Sequence, residues 1–352
     1  MSTVASFLAP LLIDAEVAGL IGTEADIAAM LWYELALAQA TADAGLIAEE
    51  AARAIATAGS TFRADLNDLS GSTLRDGVVV PGLIKQLRAH VGAPHGACVH
   101  FGATSQDVID TALALKLRGV FELFEARLAR ILARLEQLID TYGQGSLMGR
   151  TRMQAAIPIT VADRLDVWRG LLARARADMT GVAERNLILS LAGAAGTGEK
   201  FGSQIDAVRS GLAGRLDLAV PAYVPHAARD RIAALGDWLC QVTGGLGKIG
   251  QDVTLMAQND IAEIVLSGGG SSSAMAHKHN PVAAELLIAF ARFNAVQVSG
   301  LHHAVVHEQE RSGAAWALEW LTLPLMLNAT GAALLHAERL LDSVRDIGNA
   351  PG

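Results

Sequence analysis

Between Ser267 and Glu285 the chain reads Ser-Gly-Gly-Gly-Ser-Ser-Ser-Ala-Met-Ala-His-Lys-His-Asn-Pro-Val-Ala-Ala-Glu. Glycines and serines leave backbone N–H groups without partners. Such groups, with the Lys278 ammonium, can hold a carboxylate whose charge grows during a reaction. A serine hydroxyl on this loop becomes a useful acid or base only if that field lowers its pKa. Pro281 then restarts a helix at the position proline prefers. Composition alone leaves a flexible linker before a capped helix equally open.

A second group of residues lies at Thr104-Ser105-Gln106-Asp107. A threonine followed three positions later by an acid marks a helix start. The free N–H groups and dipole of such a start favour an anion. Arg150 and Arg152 offer guanidinium forks to carboxylates. His100 is open between helix-edge packing and substrate contact, and Arg311 between a carboxylate contact and an interhelical ion pair. Glu285 either pairs with Lys278 or faces solvent. Other patterns carry less. His277-Lys-His279 and His302-His303 lack a third ligand, so no metal is expected. No strand precedes Gly193-Ala-Ala-Gly-Thr-Gly198, and Thr243-Gly-Gly-Leu-Gly-Lys248 lacks the spacing of a phosphate loop.

The elements that position these groups read as helices, and the fold class as all-α. Alternating β-branched runs never persist. A helix is predicted from Thr104–Asp107 to about Tyr142, with Leu117, Phe121, Phe124, Leu128, Ile131, Leu135 and Leu138 on one face. At 1.5 Å per residue it spans roughly 55–60 Å. A second begins near Ala227 and carries a heptad seam of Ile232, Leu235, Leu239, Val242, Leu246, Ile249, Val253 and Met256. Gly244, Gly245, Gly247 and Gly250 lie within it at about 1 kcal/mol each in propensity, which close helix–helix approach would offset. Further helices are expected over 158–186, 281–309 and 313–342. Stripes this long are buried only in an extended bundle shared between subunits. Residues 1–103 read as a smaller helical domain and 104–352 as the bundle and oligomer core.

Composition narrows the classes. Of 352 residues, 51% are hydrophobic and 18% charged, which places apolar surface at a subunit interface. A membrane span is not expected: Trp320–Leu335 is interrupted by Pro324 and Asn328 and bounded by Glu319 and Glu338. The start, MSTVASFLAPLL, has no basic region, so no signal peptide is expected. Cys98 and Cys240 are the two cysteines, too few for a disulfide framework, and point to reduced cytoplasm. A net charge of −8 without a basic run argues against nucleic acid as the main partner, yet leaves room for an anionic substrate.

The order of residues then says more than their types. Ser272, Ser273, Met275, Lys278, Asn280 and Pro281 form Ser-Ser-x-Met-x-x-Lys-x-Asn-Pro, which resembles the signature loop of the fumarase/aspartase superfamily. Ser271 stands where that family usually has Gly, and Ala276 where it usually has Pro. His100-Phe-Gly-Ala-Thr-Ser-Gln-Asp-Val-Ile-Asp-Thr111 resembles its first conserved region, and Gly149-Arg-Thr-Arg-Met-Gln-Ala-Ala-Ile-Pro158 its second. The resemblance covers roughly residues 70–320, most of the chain. It implies a long-helix bundle, a cofactor-free site and a homotetramer in which three subunits contribute to each site. Set against the family pattern, the expectation is that the usual third, C-terminal domain is largely missing. Ser272, Lys278 and Asn280 would be catalytic. His100, Thr104, Ser105, Arg150, Thr151, Arg152, Gln154, Ser273, Met275 and Arg311 would bind substrate.

Family members make or break a bond β to a carboxylate, through an enolate that the serine loop stabilises. Several carry His in the second region, where this chain has Arg152. Loss of an amine without protonation is costly. A leaving carboxylate, with a reference pKa near 4, departs as an anion. Gly-Ala-Thr-Ser-Gln-Asp, Glu308-Gln-Glu-Arg311 and Trp316-Ala-Leu-Glu-Trp320 also resemble the carboxymuconate cycloisomerase branch. The expectation is therefore interconversion of 3-carboxy-cis,cis-muconate and its muconolactone, in aromatic catabolism. The alternatives are a sulfomuconate substrate, another lyase reaction such as that on adenylosuccinate, or a non-catalytic helical assembly.

Overall fold

The computed structural model describes residues 7–268, 270–271 and 279–348. Helices α1 (Ala9–Leu12), α2 (Ala15–Ile21), α3 (Thr23–Asp43), α4 (Glu49–Thr61), α5 (Leu66–Asp76) and α6 (Val80–Val91) come first. Next are α7 (Ser105–Tyr142), strands β1 (Ser146–Thr151) and β2 (Gln154–Thr160), α8 (Val161–Asn186), α9 (Ile205–Leu216) and α10 (Asp230–Met256). The remainder is β3 (Ile264–Leu266), β4 (Gly270–Ser271), β5 (His279–Asn280), α11 (Val282–Ala304), α12 (Gly313–Asp342) and β6 (Val344–Ile347).

The long helices begin where the caps place them. Thr104 and Asp107 form a reciprocal capping box at the start of α7, and Thr160 with Asp163 repeats it at α8. Ser312 accepts from the Ala315 N–H to open α12. Pro281 lies one residue ahead of α11, which ends at Ala304 rather than near 309. Gln309 there takes a φ of 51°, which no helix continues through.

Five helices, α7, α8, α10, α11 and α12, run up and down beside one another. Every residue of the predicted α7 stripe and of the α10 seam is buried in one continuous core. Alpha-10 approaches its neighbours through glycine. A Cβ at Gly247 would lie 2.5 Å from the Ala291 Cβ, and one at Gly250 would strike the Ala284 carbonyl oxygen. Gly245 faces Leu172 of α8, whereas Gly244 has nothing within 4 Å. Trp168 and Trp238 fasten the layers, donating to Asp252 Oδ2 at 2.8 Å and to the Ala175 carbonyl at 2.7 Å.

A second core gathers Tyr33, Leu37, Ile55, Leu83 and Leu87 from α3–α6 with Val108 and Ala112 of α7 and Val208 and Leu212 of α9. It draws on residues both sides of position 103. The strands are three separate two-stranded ribbons: β1–β2, β3–β6 and β4–β5. In the first, β-branched alternation is confined to Ile157 and Ile159, on either side of Pro158. Its turn places Arg152 and Met153 at φ of 50° and 67°, a two-residue hairpin of the kind that Asn-Gly usually announces. Local residue types gave no such cue here.

Candidate active site

At the N-terminal end of α7, Thr104 and Ser105 are half-buried. The Thr104 N–H donates to Asp107 Oδ2 at 3.0 Å. The same buried carboxylate receives the N–H groups of Ala192 at 2.9 Å and Gly193 at 3.0 Å, and His226 Nε2 lies 2.7 Å from Oδ1. Asp107 thus clamps the 190–193 loop and the chain around 226 onto the helix start. The glycine-rich segment after Leu191 closes this corner: a Cβ at Gly193 would meet the Gly102 carbonyl oxygen at 3.1 Å.

Two basic side chains, His100 and Arg311, stand at this end. His100 has a φ of 64°, and its Nδ1 lies 2.6 Å from Glu34 Oε1. Burial works against a charged ring, but the charge and hydrogen bond of Glu34, with Asp107, outweigh burial and Arg88, and the His100 pKa is raised. Arg311 donates from Nε to Gln106 Oε1 at 2.9 Å and from Nη2 to the Ala194 carbonyl at 3.1 Å. Both acceptors are neutral, so these bonds orient the guanidinium without cancelling its charge.

The β1–β2 hairpin stands at the opposite end. Arg150 Nη1 donates to Glu263 Oε1 at 2.5 Å and to the Met148 carbonyl at 3.2 Å. Arg164 Nη1 reaches the other oxygen of Glu263 at 3.3 Å. Glu263 is buried, so Arg150 is already committed to an internal partner. Thr151, Arg152 and Gln154 are exposed at the hairpin tip. Thr151 and Arg152, but not Gln154, border a cleft of about 780 Å³ whose other walls include Lys248, Asp252 and Glu263.

The serine loop springs from this end too. Gly270 pairs with Asn280 and Ser271 with His279, so β4 and β5 close the base of the loop. Asn280 is half-buried and Glu285 exposed. Ser272, Ser273, Met275 and Lys278 lie outside the described residues. Among those described, no group of three or more His, Cys, Asp and Glu is placed to hold a metal. His302 pairs instead with Asp237 at 2.9 Å on the surface.

The separation of the two ends governs what one chain can do. The 38 residues of α7 stand between Thr104 and the hairpin, roughly 57 Å at 1.5 Å per residue. His100, Thr104, Ser105 and Arg311 form one group, and Arg150, Thr151, Arg152 and Gln154 another. The site-building residues that sequence reading passed over are Glu34, Gln106, His226 and Glu263. Glu34 carried a signal, being a carboxylate on an otherwise apolar stretch of α3. Glu263 carried none.

Residues 17–300 match the lyase family model. The chain belongs to that family, the fumarase/aspartase superfamily. It is 36% identical over 341 residues to the 3-carboxy-cis,cis-muconate cycloisomerase of Bradyrhizobium diazoefficiens, covering 95% of this chain and 76% of that protein. The nitrosuccinate lyase of Streptomyces davaonensis is 35% identical over 348 residues, covering 95% and 73%. The crystal structure of the 3-carboxy-cis,cis-muconate lactonizing enzyme of Pseudomonas putida superposes with a TM-score of 0.91 at 33% identity, over 97% of this chain and 77% of that one.

Proposed function

We propose that the protein is a 3-carboxy-cis,cis-muconate cycloisomerase working as a homotetramer in the cytoplasm. The observation that carries the choice of reaction is Arg152, exposed at the hairpin tip where several superfamily lyases carry a proton-donating His. A guanidinium with a pKa above 12 donates hydrogen bonds but no proton. It suits a reaction in which carbon–oxygen cleavage releases a carboxylate.

In the lactonising direction, one substrate carboxylate attacks the far alkene carbon. The carbon–oxygen bond forms as the alkene electron pair moves toward the neighbouring carboxylate, giving an enolate. Lys278, Asn280 and the loop N–H groups stabilise that charge, and Ser272 delivers a proton to the α-carbon. His100, Thr104, Ser105, Arg152, Gln154 and Arg311 hold the remaining acid groups, with Thr151, Ser273 and Met275 lining the site. Arg150 contributes from within its pair with Glu263, so it supports the hairpin as well as the substrate. Every step as written uses groups of the chain and the substrate alone.

The length of α7 supports a site shared between subunits, because its two ends cannot converge within one chain. Exposed apolar side chains support the same reading: Val296 of α11 is 69% exposed and Leu321 of α12 is 70% exposed. We read residues 1–103 as the N-terminal helical unit and 104–352 as the oligomer core.

The test is loss of the ultraviolet absorbance of 3-carboxy-cis,cis-muconate on adding the protein, run beside sulfomuconate, adenylosuccinate and nitrosuccinate. Nitrosuccinate earns its place because a relative of nearly equal identity is named for it. Turnover of nitrosuccinate with none of either muconate would replace this reading. Ser272→Ala should lower kcat far more than it raises KM, and an unchanged kcat would remove Ser272 from its role.

A further inference from the structure

Alpha-3 buries ten residues, and Glu34 is the single carboxylate among them. Its side chain is 0% exposed, too deep for any substrate to touch. A carboxylate at that depth needs a donor. It has one, His100 Nδ1, while its second oxygen, Oε2, has no partner among the described residues. His100 reaches back to it from the left-handed backbone region, with φ at 64°. That conformation is uncommon for a side-chain-bearing residue and persists where the surroundings fix it. The ring is 15% exposed, and its Nε2 has no hydrogen bond to any described residue.

We propose that Glu34 is a positioning residue for the reaction: it grips His100 by Nδ1–H and keeps the ring cationic. The Nε2–H is then presented to a carboxylate bound at the Thr104–Ser105 helix start. This rests on the reading that this helix start is a substrate-binding corner. Three charged groups act on the ring from three elements: Glu34 on α3, Arg88 on α6 and Asp107 on α7. The two acids together outweigh the arginine and the loss of hydration, in line with the raised pKa of His100. A protonated histidine whose Nδ1–H is taken by a carboxylate donates its second proton from Nε2 in one fixed direction. A charged donor also binds a carboxylate more strongly than a neutral one.

The experiment uses the full chain labelled with ¹³C at histidine Cε1, with His100 assigned by the signal lost in His100→Gln. In the parent protein the His100 midpoint should lie above 6.5, and tricarballylate, an inert tricarboxylate, should raise it further. In Glu34→Gln, which keeps the shape and removes the charge, the midpoint should fall by about one unit or more, and tricarballylate should move it less. With muconate substrate, KM should rise about tenfold, as for loss of a charge-assisted hydrogen bond, while kcat holds within about threefold. The alkaline fall of kcat/KM should begin at lower pH, because the ring loses its proton sooner. Glu34→Asp should recover part of the midpoint. An unchanged midpoint in Glu34→Gln overturns the proposal. So does a lowered midpoint with unchanged tricarballylate response and KM. Failure of the parent protein to turn over muconates would instead sink the cycloisomerase reading, and the tricarballylate titration would still decide the role of Glu34.

Discussion

Arg229 and Glu319 meet as a fork, Nε to Oε1 at 2.8 Å and Nη2 to Oε2 at 2.5 Å, deep beneath the Thr104 end of the bundle. Asp110 of α7 holds the remaining nitrogen, Nη1, at 2.6 Å. Burial opposes the arginine's charge, but Asp110 and Glu319 together hold its pKa above the ordinary value. The trio ties α7, the start of α10 and α12 together below the corner that carries Thr104. His307, with a pKa lowered by burial and by Arg229, sits 3.9 Å from Glu319.

Arg229→Met removes the guanidinium that bridges two buried carboxylates. Breaking such a network from one side costs about 3–5 kcal/mol. Urea unfolding should show that loss as a lower midpoint at neutral pH. A loss under about 1 kcal/mol would mean that water reaches the carboxylates.

The glycines of α10 should split by position. Gly250→Ala drives a methyl into the Ala284 carbonyl and the Leu287 side chain, and overpacking of that kind costs about 1–3 kcal/mol. Gly244 is exposed with nothing within 4 Å, so Gly244→Ala should gain up to about 1 kcal/mol of helix propensity. Thermal unfolding of the two variants side by side checks both signs. Destabilisation by Gly244→Ala would place a neighbouring subunit against that face.

The helices were legible because periodicity and caps are local. Leu117 to Leu138 and Ile232 to Met256 recur every three or four residues, and Thr104 with Asp107 marks a start that needs no distant partner. The hairpin at 146–160 was not legible. Its turn forces Arg152 and Met153 to positive φ, and it is anchored by hydrogen bonds from Met148 and Arg150 to distant Glu263. The candidate site was legible in its motifs and silent on its supports. Arg150 looked like a free carboxylate binder because nothing nearby in the chain names Glu263, which lies 113 positions away. His100 likewise gave no hint of Glu34, 66 positions earlier.

Those supports predict different behaviour for two neighbouring arginines. Arg150→Ala takes one of two cations from buried Glu263 and should cost about 1–3 kcal/mol of stability. Arg152→Gln, at an exposed tip, should change stability by less than about 0.5 kcal/mol. Its effect should fall on kcat/KM for muconate, lowered about 10- to 100-fold by loss of a charged hydrogen bond. Paired unfolding and kinetic measurements separate the two. An Arg152→Gln variant with unimpaired kcat/KM would remove that side chain from the substrate.

The shared site makes the sharpest prediction. His100→Ala/Ser105→Ala damages the corner at one end of α7, and Ser272→Ala damages the loop that springs from the other. Each variant alone should be nearly inactive. After the two are dissociated together and reassembled, some sites will draw the helix start from one kind of subunit and the serine loop from the other. With random mixing about a quarter of the sites will carry neither defect. Activity should rise toward that fraction, and native mass spectrometry should show the mixed tetramers that account for it. A site built within one chain would contain one defect or the other in every case. Mixed tetramers without recovered activity would therefore end the proposal that these two ends meet across subunits.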